Sequence, residues 1–185
     1  PTTPGGERKD SVAATLVSEA PCDKCVVGRW EATNDSILSY MQSILPSGED
    51  STMKVQSATG VMFMDFKDNG TGTGGYKDLK IHQSGAGSAE GSEAFVTFHG
   101  TSSGPYTADG SALIGLTETI EMSVTVDVFV NGISVGSSTI PFRPEDFPIG
   151  SAIPTPYTCD GNTLTTWPPV EGATVEPISW TRTSP

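Results

Sequence analysis

The chain has 185 residues, the length of one domain with an extension. Lys and Arg number 10 against 22 Asp and Glu, a formal net charge of −12 and a pI near 4.3. Nucleic acid and anionic membrane surfaces need cationic patches, so this balance argues against both as partners. No apolar run approaches the ~18 residues of a membrane-spanning helix, so membrane insertion is not expected either. Hydrophobic residues are 35%, enough for one core, and 21 Gly with 14 Pro favour short strands joined by turns.

Residues 1–9 are rich in Pro, Thr and Gly and read as a linker. The chain begins at Pro1 without Met, as expected where an upstream segment has been removed. Residues 10–18 follow, where Val12, Ala14 and Leu16 alternate as in a strand. Val12 with Leu16 and Ala13 with Val17 fit a short helix equally well, and the sequence leaves both open. Residues 1–21 are therefore read as an N-terminal extension and 22–185 as the folded domain.

After Trp30 one helix is predicted, capped by Asn34 or Asp35. Its apolar stripe is Ile37, Leu38, Met41, Ile44 and Leu45, and Pro46 to Gly48 ends it. The remainder reads as antiparallel hairpins, turning at Asp68-Asn69-Gly70, Asp109-Gly110, Asn131-Gly132 and Asp160-Gly161. Strands are predicted over 57–67, 71–83, 93–100, 103–108, 112–117, 119–130, 133–140, 155–159, 163–167 and 177–182. The clearest alternation is Met122, Val124, Val126, Val128 and Val130 against Ser123, Thr125 and Asp127, a strand with one wet face. Between Pro141 and Pro156 the proline density predicts a rigid surface loop that could cover one end of the fold.

One hairpin is used twice. Pro105-Tyr106-Thr107-Ala108-Asp109-Gly110 with Leu113 matches Pro156-Tyr157-Thr158-Cys159-Asp160-Gly161 with Leu164. Tyr packs before the turn, Asp-Gly makes the turn, and Leu returns to the core.

These features resemble a known family. Gly28-Arg29-Trp30 on a first strand and Arg182 on a last strand are similar to the lipocalin signature. The resemblance implies an all-β fold with one short helix, an antiparallel up-and-down lipocalin-like β-barrel carrying the N-terminal extension. Trp30 would plug one end and Arg182 would stack across it, its guanidinium covering the indole and donating to nearby carbonyls. The repeated hairpin resembles the Tyr-x-x-Asp-Gly-x-x-Leu hairpins of lipocalin-like domains in bacterial secreted and cell-surface proteins, over residues 25–182. Those domains place one Cys before the Gly-x-Trp and one in the last hairpin. Cys25 and Cys159 match both places, which implies a disulfide between them. By loop entropy such a bridge stabilises by roughly 5 kcal/mol, less any strain. Cys22 is then left free or paired with another chain.

Patterns that suggest chemistry have stronger structural readings. Cys22-Asp-Lys-Cys25 is a C-x-x-C without the βαβ context of a redox site. A zinc site using Cys22, Cys25, Cys159 and a His lacks a second C-x-x-C. Gly100-Thr101-Ser102-Ser103-Gly104, beside His99, fits G-x-S-x-G but is followed by a strand and turn rather than a helix. His82 alternates with Lys80 and Asp78 and faces outward. Asp65 to Gly70 lacks the Glu that completes an EF-hand loop. Gly70 to Gly75 is followed by no helix that would bind phosphate. Asn34-Asp-Ser36 and Asn69-Gly-Thr71 are glycosylation sequons.

No catalytic residues, metal or cofactor are implied. The expectation is a non-catalytic extracellular structural or interaction module, a subunit of a cell-surface or filamentous assembly. Self-association would run through an N-terminal arm whose contacts are Val12, Ala14 and Leu16. The alternative is a carrier of a small apolar ligand inside the barrel. Val61, Met62, Phe63, Met64 and Phe66 are apolar on both faces of one strand, as expected where a helix or the arm docked in cis covers the outside over a packed core, and they lean towards a filled interior.

Overall fold

The computed structural model describes residues 23–44, 53–85, 89–142, 154–170 and 174–184. The arm with Val12, Ala14 and Leu16, together with Cys22, the helix stop at 46–48 and most of the Pro-rich stretch, lies outside these residues. Among the described residues ten strands and one α-helix follow in chain order: β1 (Gly28–Ala32), α1 (Asn34–Ile44), β2 (Met53–Phe66), β3 (Thr71–Gly85), β4 (Ser92–Ala108), β5 (Ala112–Gly115), β6 (Thr119–Val130), β7 (Ile133–Pro141), β8 (Thr155–Asp160), β9 (Thr163–Thr166) and β10 (Ile178–Ser184). All pairings are antiparallel.

Eight strands close a ring in the order β3-β2-β1-β10-β9-β8-β5-β4, shut by the β3–β4 pairing. This is the chain order itself, an up-and-down meander, with the β6–β7 hairpin as a side excursion. That hairpin leaves the ring. β6 pairs with residues 92–103 of β4, whose other edge is held by β3, and among the described residues β7 pairs only with β6.

The residues expected as two strands, 93–100 and 103–108, form the single strand β4. Its length lets it serve two sheets: residues 106–108 pair with β5, and the earlier part pairs with β6. A row of irregularities marks the place where the ring opens into this wing. Gly60 has φ 103°, Asp78 φ 51° and Gly100 φ 99°, on neighbouring strands. Register slips between Thr59 and Val61 and between Tyr76 and Leu79. Such bulges bend and twist a sheet. A Cβ on Gly60 would sit 2.2 Å from the Asp78 carbonyl oxygen, and one on Gly100 1.9 Å from that of Glu121, so neither position admits a side chain.

The core has two joined parts. Inside the ring, Trp30, Phe66, Tyr106, Leu113, Tyr157, Leu164 and Trp180 pack together. Beyond the bulges, α1 lays Ile37 on Val55, Ala58, Leu79 and Ile81. Ala32 and Met62 touch both clusters and make them continuous. The helix cap is Thr33 and not Asn34 or Asp35. Its Oγ1 accepts from the Ser36 amide at 3.3 Å, and its carbonyl accepts the first helical bond from Ile37 at 3.0 Å. Ser36 Oγ also donates to the Ser179 carbonyl at 3.1 Å, which fixes the helix to β10.

On β2, Met62, Met64 and Phe66 face the core, and Phe63 faces out. Phe63 is nevertheless buried, and the Arg29 guanidinium lies 4.2 Å from its ring centroid. β6 departs from its expected one-wet-face pattern: none of its residues is buried, and every residue of β7 is exposed.

Candidate functional site

One end of the ring is closed by a dense set of contacts. Trp30 is fully buried, and its indole N–H donates to the Val26 carbonyl at 2.7 Å. Arg182 stands opposite Trp30 in the β1–β10 register, with its guanidinium carbon 4.3 Å from the indole centroid. Its two terminal nitrogens donate to the carbonyls of Val27 at 2.5 Å and Cys25 at 2.6 Å, and more weakly to Gly161 at 3.3 Å. The Cys25–Cys159 disulfide joins the approach to β1 with β8, across 134 residues of chain and a Cα–Cα distance of 6.0 Å.

The repeated hairpins meet at this end. Tyr106 faces Gly115 and Tyr157 faces Thr166, the same offset in each copy, and β5 pairs with β8 to hold the copies side by side. Tyr157 then does what Tyr106 does not. Its hydroxyl accepts from the Gly110 amide of the other hairpin at 2.7 Å and donates to Asp23 Oδ2 at 2.8 Å. Burial, and then the Asp23 carboxylate, push this phenol up to about 12. Asp109 accepts from the amides of Ser111 and Ala112 and from the Ser111 hydroxyl, all at 2.8 Å, and these bonds pull its carboxyl down to about 2. The Asp23–Tyr157–Gly110 link was not legible in the sequence; only the recurrence of Tyr before each turn pointed to these residues.

A cavity of about 210 Å³ opens on the ring's inner side. Met64 and Phe66 of β2, Gly72 and Gly74 of β3, Ser102 to Tyr106 of β4 and Leu113 of β5 line it. Its space depends on missing side chains: a Cβ on Gly72 would come within 3.1 Å of the Phe66 ring. Ligand pockets for drug-sized molecules run about 300–1,000 Å³, whereas an apolar cavity of about 150 Å³ accepts benzene. The size therefore suits a single small ring.

The third feature is the wing. Ile133 is 70% exposed, Val135 60% and Ile140 53%. Val124, Val126, Val128 and Val130 share one face with Ile133 and Ile140, and that face runs on to Ala94, Val96 and Phe98 of β4. On the opposite face, His82 stacks on Phe95 at 4.6 Å and meets Glu93 at 3.2 Å, with Phe129 edge-on to Phe95 at 5.7 Å.

The remaining sequence candidates fall apart spatially. Gly100 to Gly104 lie within β4, so Ser102 occupies a strand and not a strand-to-helix elbow. Ser102 and His99 are three residues apart and point to opposite faces, and His99 Nδ1 is engaged by Asp78 at 2.9 Å. At Asp68 to Gly70, Asn69 Oδ1 is occupied by the Thr71 amide and hydroxyl at 3.0 and 2.7 Å, an Asx turn. Among the described residues no group of three or more His, Cys, Asp or Glu could hold a metal, and no buried side-chain polar atom lacks a hydrogen-bond partner. Asn34 and Asn69 are both exposed. No helix among the described residues is long and apolar enough to cross a membrane.

No family model, curated protein or solved structure matches the chain.

Proposed function

We propose that the chain is a non-catalytic extracellular structural module, a lipocalin-like domain of the bacterial cell-surface kind, joined to other copies through its N-terminal arm. The β6–β7 wing carries this reading. A monomer has no use for a nine-residue strand exposed along its whole length, with three large aliphatic side chains in water. A subunit that builds a filament needs such a surface. The disulfide agrees with an oxidising compartment outside the cell. Repeated head-to-tail, one arm per copy gives an open fibre rather than a closed oligomer. Deleting residues 1–20 tests it. The truncated protein should keep its near-UV circular dichroism and become monomeric by light scattering; an unchanged assembly state removes the arm as the linking element.

A second reading, carriage of a small apolar ligand, draws on the cavity between Met64, Phe66 and Tyr106. It requires one-ring compounds to bind there, and a titration with such compounds separates the two readings.

A further inference from the structure

We infer that the acceptor for the arm is the free edge of β7 on a second copy, with residues 10–18 adding to it as an eleventh strand of that sheet. The inference rests on the arm being the linking element, and it names the surface that receives it.

β7 has the properties of an open template. Its sequence, Ile133-Ser-Val-Gly-Ser-Ser-Thr-Ile-Pro141, contains no charged residue. Natural edge strands are blunted by Lys, Pro, β-bulges, inward charges or cover from another element; in β7 the Pro stands only at the end, Pro141, and the one bulge falls at Val135, so residues 136–140 form an uninterrupted edge. Among the described residues β7 pairs with β6 alone, which leaves its outer main-chain groups facing solvent.

The arm fits this edge in pattern and charge. Residues 11–18 are uncharged, and Glu7, Arg8, Lys9 and Asp10 cancel, so positions 1–18 contribute nothing to the net charge of −12. Two bodies of that charge repel, and the arm is a part of the chain that can approach a neighbour without penalty. Added to β7 as a strand, it would set Val12, Ala14 and Leu16 on one face. In the matching register that face continues the apolar row of Val124, Val126, Ile133 and Ile140.

Tether length favours a second copy. The described chain starts at Asp23, whose amide donates to the Ala108 carbonyl at the closed end of the ring. The near end of β7, Pro141, pairs with Ser123, which faces His99, nine positions before Ala108 on β4. That path is about 30 Å at roughly 3.3 Å per residue, before two strand spacings are added. Ser18 to Asp23 spans at most about 18 Å. A tether of that length makes the β7 of a second copy, which can be brought up to the arm, the more accessible edge.

The test uses the full-length chain. Hydrogen exchange read residue by residue should show the β7 amides that point away from β6 protected in the concentrated, associated protein and unprotected on dilution. The double variant Val135→Lys with Ile140→Lys, both at exposed positions, should keep the wild-type near-UV signal and lose association at least tenfold in concentration. Outward β7 amides that exchange at the monomer rate in the associated protein overturn the inference, as does a folded double variant that assembles normally. If that happens while deletion of 1–20 still gives monomers, the arm links copies through another surface and only the acceptor is wrong. If the deletion variant assembles and the lysine variant does not, β7 meets something other than the arm and both readings fail. A full-length chain that is monomeric at every concentration ends both as well.

Discussion

Trp30 and Arg182 are cross-strand partners on β1 and β10, with the guanidinium carbon 4.3 Å from the indole centroid and two of its nitrogens on the Val27 and Cys25 carbonyls. The arginine thus ties the segment before β1 to the last strand and covers the largest fully buried side chain. Arg182→Ala removes the stacking and leaves those carbonyls short of a donor. The expected loss is about 2–4 kcal/mol, measured by urea unfolding. Arg182→Lys should recover less than half, because an ammonium is a point charge that cannot cover a ring and bridge two carbonyls together. A wild-type midpoint in Arg182→Ala would show the contact to be idle.

The disulfide closes a loop of 134 residues. Peptide mapping without reductant should recover the 25–159 link, and Cys22→Ser should leave it in place. Replacing Cys25 and Cys159 together by Ala is expected to cost about 2–5 kcal/mol. Recovery of a 22–159 link from the native protein would contradict the pairing.

Tyr157 makes alkaline stability testable. A free phenol ionises near pH 10, and this one is pushed up to about 12 by burial and by its bond to Asp23. The folded state therefore favours the neutral form. The resulting stabilisation is complete below about pH 10 and is lost as the pH climbs from about 10 to about 12. Tyr157→Phe should be less stable at pH 8, since Gly110 and Asp23 each lose a partner. The difference between the two proteins should shrink across that window. A gap independent of pH would mean that the phenol does not titrate with unfolding.

Ser102 lines the cavity from the middle of a strand, and among the described residues that line this cavity there is no His, Asp, Glu or Lys. Ser102→Ala should leave hydrolysis of a p-nitrophenyl ester at the wild-type level. Loss of turnover in that variant would make the chain an enzyme.

If the cavity carries a ligand, filling it must matter. Gly74→Val adds bulk where a Cβ would meet nothing closer than the Phe63 carbonyl at 3.7 Å. Binding of a one-ring probe such as indole, followed by intrinsic fluorescence, should fall at least tenfold in a variant that remains folded. No binding of such probes to the wild type would leave the cavity without a carrier role.

Local chemistry in the sequence determined a good deal. Period-two alternation and the Asp-Gly and Asn-Gly turns located the strands, and the repeated Tyr…Asp-Gly…Leu identified two equivalent hairpins whose registers agree. The motif resemblance pointed to Trp30, Arg182 and the two cysteines, and the structure brings each pair into contact. The helix was placed, but its cap was misread by one residue. Thr33, Asn34 and Asp35 can all cap, and the choice falls to the residue whose backbone leaves β1. Only the tertiary structure decided that β4 is one strand serving β3, β5 and β6, that β6 and β7 leave the ring, and that Arg29 covers the outward Phe63. Alternation along a strand specifies which side chains share a face. It carries no information about which edge finds which neighbour, because strand pairing is made by main-chain groups that every residue possesses.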